Sequence, residues 1–160
     1  MKIIKNFLKN KEVFKDIQNT LLGSNFPYYY ADNTARPTDR SDYFFFHSLY
    51  QNNKQTSSYF NRILIPIIGH LECTYLHRAK INCYTKKATP IKTSMHVDLP
   101  TKHTVALFSV NTNNGYTLFE NGEKVVSVEN QLITFDGSLK HCSVAQTDEN
   151  LRVNINIDLS

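Results

Sequence analysis

A chain of 160 residues is long enough for one domain with a full hydrophobic core. Its 41% hydrophobic and 20% charged residues are those of an ordinary globular protein, and a net charge of +4 is too small to indicate a nucleic-acid surface. Three scattered cysteines (Cys73, Cys83, Cys142) exclude a zinc ribbon and a disulfide framework, and the longest apolar run, 63–68, contains Pro66 and cannot span a bilayer.

Residues 2–8 suit a short opening strand. Lys2, Lys5, Lys9, Lys11 and Lys15 interrupt the N-terminal apolar residues too often for a signal peptide and read as a solvated face. A cytoplasmic location follows. Asn10 can cap a helix whose stripe is Val13, Phe14, Ile17 and Leu21, with Gly23 as its stop. Two aromatic clusters, 26–30 and 43–46, flank a polar loop around Arg36-Pro37-Thr38-Asp39. At this density such clusters suit a core better than a peptide groove or a base-stacking surface. The apolar residues between 57 and 77 predict a second, largely buried helix, bent at Pro66.

Beyond residue 78 the period becomes two. Strands are expected at 79–84, 104–111, 116–120, 124–128, 132–135, 143–146 and 151–159, with Asn113-Asn114-Gly115 and Asn121-Gly122 as turns. Many short strands behind N-terminal helices predict a mostly β, jelly-roll domain over 1–160: a strand and helical buttress over 1–78 and a β core over 79–160. In the last strand Leu151, Val153, Ile155, Ile157 and Leu159 face one way. Arg152, Asn154, Asn156 and Asp158 face the other. The apolar side should meet the helices, which directs Arg152 into an enclosed space. A guanidinium there costs several kcal/mol unless an anion meets it.

His96 and Asp98 are two residues apart, so on a strand they share a face. His141, expected in a turn before a later strand, can add a second imidazole. Two His and one carboxylate on one side of a metal leave positions open, the ligand set of non-haem Fe(II) oxygenases. His-x-Asp alone is a weak pattern; its combination with His141 and Arg152 is not. His47, His70, His77 and His103 are assigned structural or surface roles.

Asn82-Cys83-Tyr84, His96-Val97-Asp98, the 115–119 segment Gly-Tyr-Thr-Leu-Phe, Leu132-Ile133-Thr134-Phe135, His141 and Arg152-Val153-Asn154 together carry a resemblance. Residues 79–159 resemble the double-stranded β-helix core of the Fe(II)/2-oxoglutarate-dependent dioxygenases. The likeness is to their prolyl-4-hydroxylase-like branch and its small phage and bacterial members. The resemblance implies Fe(II) on His96, Asp98 and His141, with 2-oxoglutarate chelating that iron and O₂ as the oxidant. It also implies Arg152 and Tyr84 on the C5 carboxylate of 2-oxoglutarate, with Asn82, Thr117 and Asn154 nearby. An Arg suits a carboxylate because its planar fork gives two charge-assisted bonds. Cys142, next to His141, is either inert packing or an oxidation-sensitive neighbour of the iron.

The reaction implied is hydroxylation of a substrate C–H bond coupled to decarboxylation of 2-oxoglutarate to succinate and CO₂. A protein side chain, prolyl first, is the leading substrate, and a small molecule or free amino acid is the alternative. A non-catalytic jelly-roll binding or phage accessory protein is the reading of another class. A cupin-type metal protein is a further alternative, but the Glu and extra His ligands usual there have no clear place in this pattern. Nucleic-acid demethylases of the superfamily carry a second Arg in the closing strand, where this chain has Asn156 and Asp158; that argues against nucleic acid. A phage-encoded enzyme of this type would work in the host cytoplasm. Oligomeric state is not legible.

Overall fold

The structure, a computed structural model, describes residues 1–32 and 43–160, so the Arg36-Pro37-Thr38-Asp39 loop lies outside the described residues. In chain order come β1 (Lys2–Ile4), α1 (Lys11–Leu22), β2 (Tyr29–Ala31), β3 (Phe44–Gln51) and β4 (Lys54–Gln55). A π-helical turn at Phe60–Leu64 runs into α2 (Ile65–Ile68). β5 (Leu76–Thr85), β6 (Thr104–Ser109), β7 (Tyr116–Phe119), β8 (Lys124–Val126), β9 (Gln131–Asp136), β10 (His141–Val144) and β11 (Leu151–Leu159) follow.

The protein is mostly β, and its strands pair antiparallel. One sheet runs β1-β9-β6-β11-β5-β3-β2 with β4 on β3, and a smaller one runs β10-β7-β8. β11 is central, hydrogen-bonded to β5 and β6 along most of its length. Its alternation settles which way the large sheet faces. Val153, Ile155, Ile157 and Leu159 join Ala79, Ile81 and Cys83 of β5 and Ala106 and Phe108 of β6 in the main core. Phe14, Ile17 and Leu21 of α1 and Ile63, Leu64 and Ile67 of the second helical segment cover that face. The opposite face meets the small sheet through Val105, Ile133 and Phe135 against Phe119 and Val125. Beside this apolar patch the space between the sheets turns polar, and the candidate site lies there.

The α1 boundaries follow from local chemistry. Asn10 Oδ1 accepts from the backbone N–H of Glu12 (3.0 Å) and Val13 (3.2 Å), satisfying two free donors of the first turn. Gly23 ends the helix in an extended conformation. Asn130, at φ 55°, ties the N-terminus down by pairing its amide with both N–H and C=O of Leu8.

The expected helix over 57–77 is not formed at that length. Helical backbone is confined to Phe60–Ile68, opening as π turns, with Pro66 at the start of α2, where its missing N–H costs least. The chain then leaves the helix because the end of the large sheet captures it. The N–H groups of Thr74 and Tyr75 both donate to Ser160 O at 2.7 Å, and Ser160 N donates back to Tyr75 O. Residues 1–78 also supply β1 to β4, which all belong to the large sheet. Among the described residues no helix is long and apolar enough to cross a membrane.

Candidate active site

β5 and β11 present matching polar rows to the gap between the sheets. Across the ladder Arg152 pairs with Tyr84, Asn154 with Asn82, Asn156 with Lys80 and Asp158 with Arg78. The intervening residues are the apolar ones already placed in the core, so the period of two sorts the chemistry onto one face. From the small sheet β7 supplies Thr117, and β10 supplies His141 and Ser143. All of these side chains except Arg78 and Asp158 line one cavity, together with His96 and Asp98.

The candidate ligands converge. One ligand atom from each of His96, Asp98 and His141 lies within 4.8 Å of the others. His96 is not on a regular strand: it forms a two-way bridge with His141, each N–H donating to the other's C=O at 3.0 Å. His141 is the first residue of β10 rather than part of a preceding turn, which corrects the expectation from sequence. Each imidazole has its Nδ1 at 3.1 Å from a backbone carbonyl, Ser94 O for His96 and Leu139 O for His141. A carbonyl can only accept, so each Nδ1 carries a proton and the neutral ring would offer Nε2 to a metal. Burial lowers the His96 pKa, which favours the neutral, ligating form. Edge contact with Phe135, ring centroids 4.9 Å apart, fixes the His141 ring.

Asp98 is 3% exposed at its side chain. Its Oδ1 accepts from Arg78 Nη2 (2.8 Å) and Asn156 Nδ2 (3.1 Å). Its Oδ2 lies 3.3 Å from His141 Nε2 and has no hydrogen-bond partner. Burial opposes its ionisation, but a protonated His141, Lys80 and Arg78 outweigh burial and hold its carboxyl below the usual range. A buried carboxylate oxygen without a donor beside two imidazole lone pairs is the arrangement a divalent cation completes. The triad fits an iron site. Arg78 fixes Asp98 from behind and also binds Asp158 Oδ2, Nε donating at 2.8 Å. Burial, then the neighbouring Asp98, raises the Asp158 pKa.

Arg152 is 2% exposed and has no carboxylate partner among the described residues. Nε donates to Ser127 Oγ (2.7 Å), Nη1 to Ser143 Oγ (2.5 Å) and Nη2 to Thr117 Oγ1 (3.5 Å). Three of its five N–H donors are thus engaged and two remain. The guanidinium lies 5.5 Å from the Tyr84 ring centroid, and that ring stacks on Phe44 at 5.7 Å. Gly115 gives this side chain room: a Cβ there would fall 2.8 Å from Arg152 Cδ. A carboxylate meeting Arg152 and a metal on the triad would lie in the same cavity.

Tyr84, Asn82, Thr117 and Asn154 all line that cavity, and Asn82 Nδ2 donates to Asn154 Oδ1 at 3.0 Å. Cys142 is fully buried at its edge. Of the aromatic clusters, Phe26 and Phe44 are buried, whereas Tyr29 and Tyr30 are exposed. His47 and His103 are buried outside the triad. Arg78, Lys80, Ser127 and Ser143 were not anticipated. The Arg78-x-Lys80-x-Asn82-x-Tyr84 alternation, the complement of β11, carried a signal for the first two. Nothing local marked the serines, which arrive through the packing of the small sheet.

No family model matches the chain, and no curated protein matches it in sequence. Its fold, however, is that of solved 2-oxoglutarate- and Fe(II)-dependent oxygenases. One is a prolyl hydroxylase from Trichoplax adhaerens, solved with a peptide of hypoxia-inducible factor: TM-score 0.64, 14% identity, covering 99% of this chain and 82% of that one. Another is a prolyl-4-hydroxylase from Pseudomonas putida: TM-score 0.61, 10% identity, covering 99% and 91%. A third is SnoN, a non-haem α-ketoglutarate-dependent epimerase of nogalamycin biosynthesis: TM-score 0.68, 12% identity, covering 99% and 76%.

Proposed function

We propose that this protein is an Fe(II)/2-oxoglutarate-dependent oxygenase, with its two sheets forming a double-stranded β-helix. The observation that carries the reading is the pairing of two incomplete groups in one cavity. One is a His96–Asp98–His141 cluster with an orphaned buried carboxylate oxygen; the other is a buried Arg152 with no anion. Both lacks are met by a metal-chelated dicarboxylate. A binding protein that had only kept the scaffold would have no reason to retain either.

His96 and His141 would hold Fe(II) through Nε2 and Asp98 through Oδ2. With 2-oxoglutarate bound, this iron supplies the oxidising chemistry: O₂ is consumed, 2-oxoglutarate becomes succinate and CO₂, and a substrate C–H bond is hydroxylated. The chain's own residues do the positioning. Arg78 and Asn156 fix Asp98, and the Ser94 and Leu139 carbonyls fix the imidazole tautomers. Arg152, set by Ser127, Ser143 and Thr117, takes the far carboxylate of the cosubstrate beside Tyr84. Asn82 and Asn154 shape the wall between them.

A protein side chain, prolyl first, is the substrate that the prolyl hydroxylase neighbours support. A small molecule has support from the SnoN type of neighbour and also from Lys80, at the cavity mouth, which has no carboxylate within ion-pair distance among the described residues, and we favour it. The test of the reaction is anaerobic titration with Fe(II) and 2-oxoglutarate. A weak visible charge-transfer band should appear in the wild type and be lost in His96→Ala, and succinate should form on admission of O₂. A metal-loaded wild type without the band would overturn the proposal.

A further inference from the structure

Lys80 stands between the metal-side cavity and an outer groove of about 280 Å³, and lines both. It sits opposite Asn156 on β11 and Ser48 on β3, so its side chain issues from the middle of the mouth. Among the described residues its ammonium has no hydrogen bond and no carboxylate within ion-pair distance. The Phe44 ring lies 5.9 Å from its Nζ, and the Asp98 and Asp158 carboxylates act on it only beyond ion-pair distance. The other cation of the groove, Arg78, is fastened to Asp98 and Asp158. Phe44 and Phe46, ring centroids 6.1 Å apart, form an apolar wall beside Lys80.

Charge balance sharpens this, given the reaction proposed above. Iron and Arg152 are balanced by Asp98 and the two carboxylates of 2-oxoglutarate, and Arg78 is matched by Asp158. Among the described residues that line the cavity and the groove, Lys80 is left without a matching negative charge. A partly desolvated ammonium attracts an anion far more strongly than an exposed one does. One ammonium matches one monoanion rather than a doubly charged phosphate.

We propose that Lys80 is a specificity-determining residue that holds the carboxylate of a small organic acid, whose apolar body lies against Phe44 and Phe46 with a C–H bond towards the metal site. This rests on the oxygenase reading for the metal and cosubstrate, but the recognition itself is a binding event.

The probes are 3-phenylpropionate and its neutral amide, titrated by calorimetry into anaerobic protein saturated with Fe(II) and 2-oxoglutarate, so that Arg152 is already occupied. The acid should bind about tenfold tighter than the amide, as one such ion pair implies. Lys80→Met should erase the preference and Lys80→Arg should keep it. Equal binding of acid and amide by the wild type overturns the proposal, as does a preference that survives Lys80→Met. So does a Lys80→Met loss of 2-oxoglutarate affinity as large as the loss for the acid, because Lys80 would then serve the cosubstrate. If the wild type shows no charge-transfer band, the oxygenase reading fails separately. The comparison is then run on metal-free protein beside Arg152→Gln. A preference lost with Lys80 and kept with Arg152→Gln supports the carboxylate site, and the reverse overturns it.

Discussion

At the scale of single residues, Arg152 makes the sharpest commitment. A guanidinium buried against three hydroxyls and an aromatic ring stabilises the empty protein little, because its desolvation is uncompensated. Arg152→Met should therefore change the unfolding free energy of cosubstrate-free protein by no more than about 1 kcal/mol, since relief of the buried charge offsets the lost hydrogen bonds. Binding should respond very differently. Losing two charge-assisted bonds to a carboxylate should weaken 2-oxoglutarate roughly 100-fold or more. Calorimetric titration together with urea denaturation separates the two effects, and equal losses in both would mean that Arg152 is structural. Gly115 tests the same side chain indirectly. Gly115→Ala places a methyl group against Arg152 Cδ and Asn113 Oδ1, so it should weaken 2-oxoglutarate while leaving metal affinity intact. A weakened metal site in that variant would place the strain elsewhere.

At the scale of elements, β11 joins stability to function through its two faces. Ile155 is fully buried between β5, β6 and the helical layer, whereas Asn154 and Asn156 on either side of it face the site. Ile155→Ala should cost about 2–5 kcal/mol, as a large-to-small change in a packed core does, with the charge-transfer band of the folded fraction unchanged. Thermal unfolding and the visible spectrum of one sample check both halves. The bounds of β11 were legible from sequence to the residue, because strict alternation is a strong signal and a central strand has no end to fray. The α1 cap was equally legible, since Asn10 acts on its own backbone neighbours. The triad and Arg152 could be read because the resemblance tied together residues far apart in the chain. Three features resisted. The helix over 57–77 was misjudged because Ser160, distant in sequence, binds Thr74 and Tyr75 beside the start of β5. His141 was placed in a turn because its pairing partner, His96, lies 45 residues earlier, outside any local pattern. Arg78 and Lys80 were passed over because β5 was read for its apolar residues rather than for its polar complement to β11.

At the scale of the whole molecule, the site is also a clasp. The segment from 86 to 103 that carries His96 and Asp98 holds no regular strand. It meets the small sheet through the His96–His141 and Lys92–Val144 bridges and the Thr93 N–H to Ser143 carbonyl bond. Asp98 reaches the large sheet through Arg78 and Asn156, whereas His141 belongs to the small one. A metal held by all three ligands would therefore cross-link the two sheets and this connection. Because ligands of this kind bind the folded state far better than the unfolded chain, their free energy adds to stability. About 2.7 kcal/mol is expected at a concentration of 100 times Kd. For a domain of this size that corresponds to a rise in Tm of roughly 5–10 °C. Redox-inert Mn(II) with 2-oxoglutarate should produce this rise, and a chelator should reverse it. Hydrogen exchange should slow most across 86–103 and β10, and little in α1. The sign of the pH effect follows from Asp98, whose carboxyl is held below its ordinary range and must stay ionised to ligate. The metal-induced rise should be present at neutral pH and fade as acid protonates His96 and then Asp98. A rise in Tm that persists in Asp98→Ala, or protection spread evenly over both sheets, would place the cation somewhere other than this clasp.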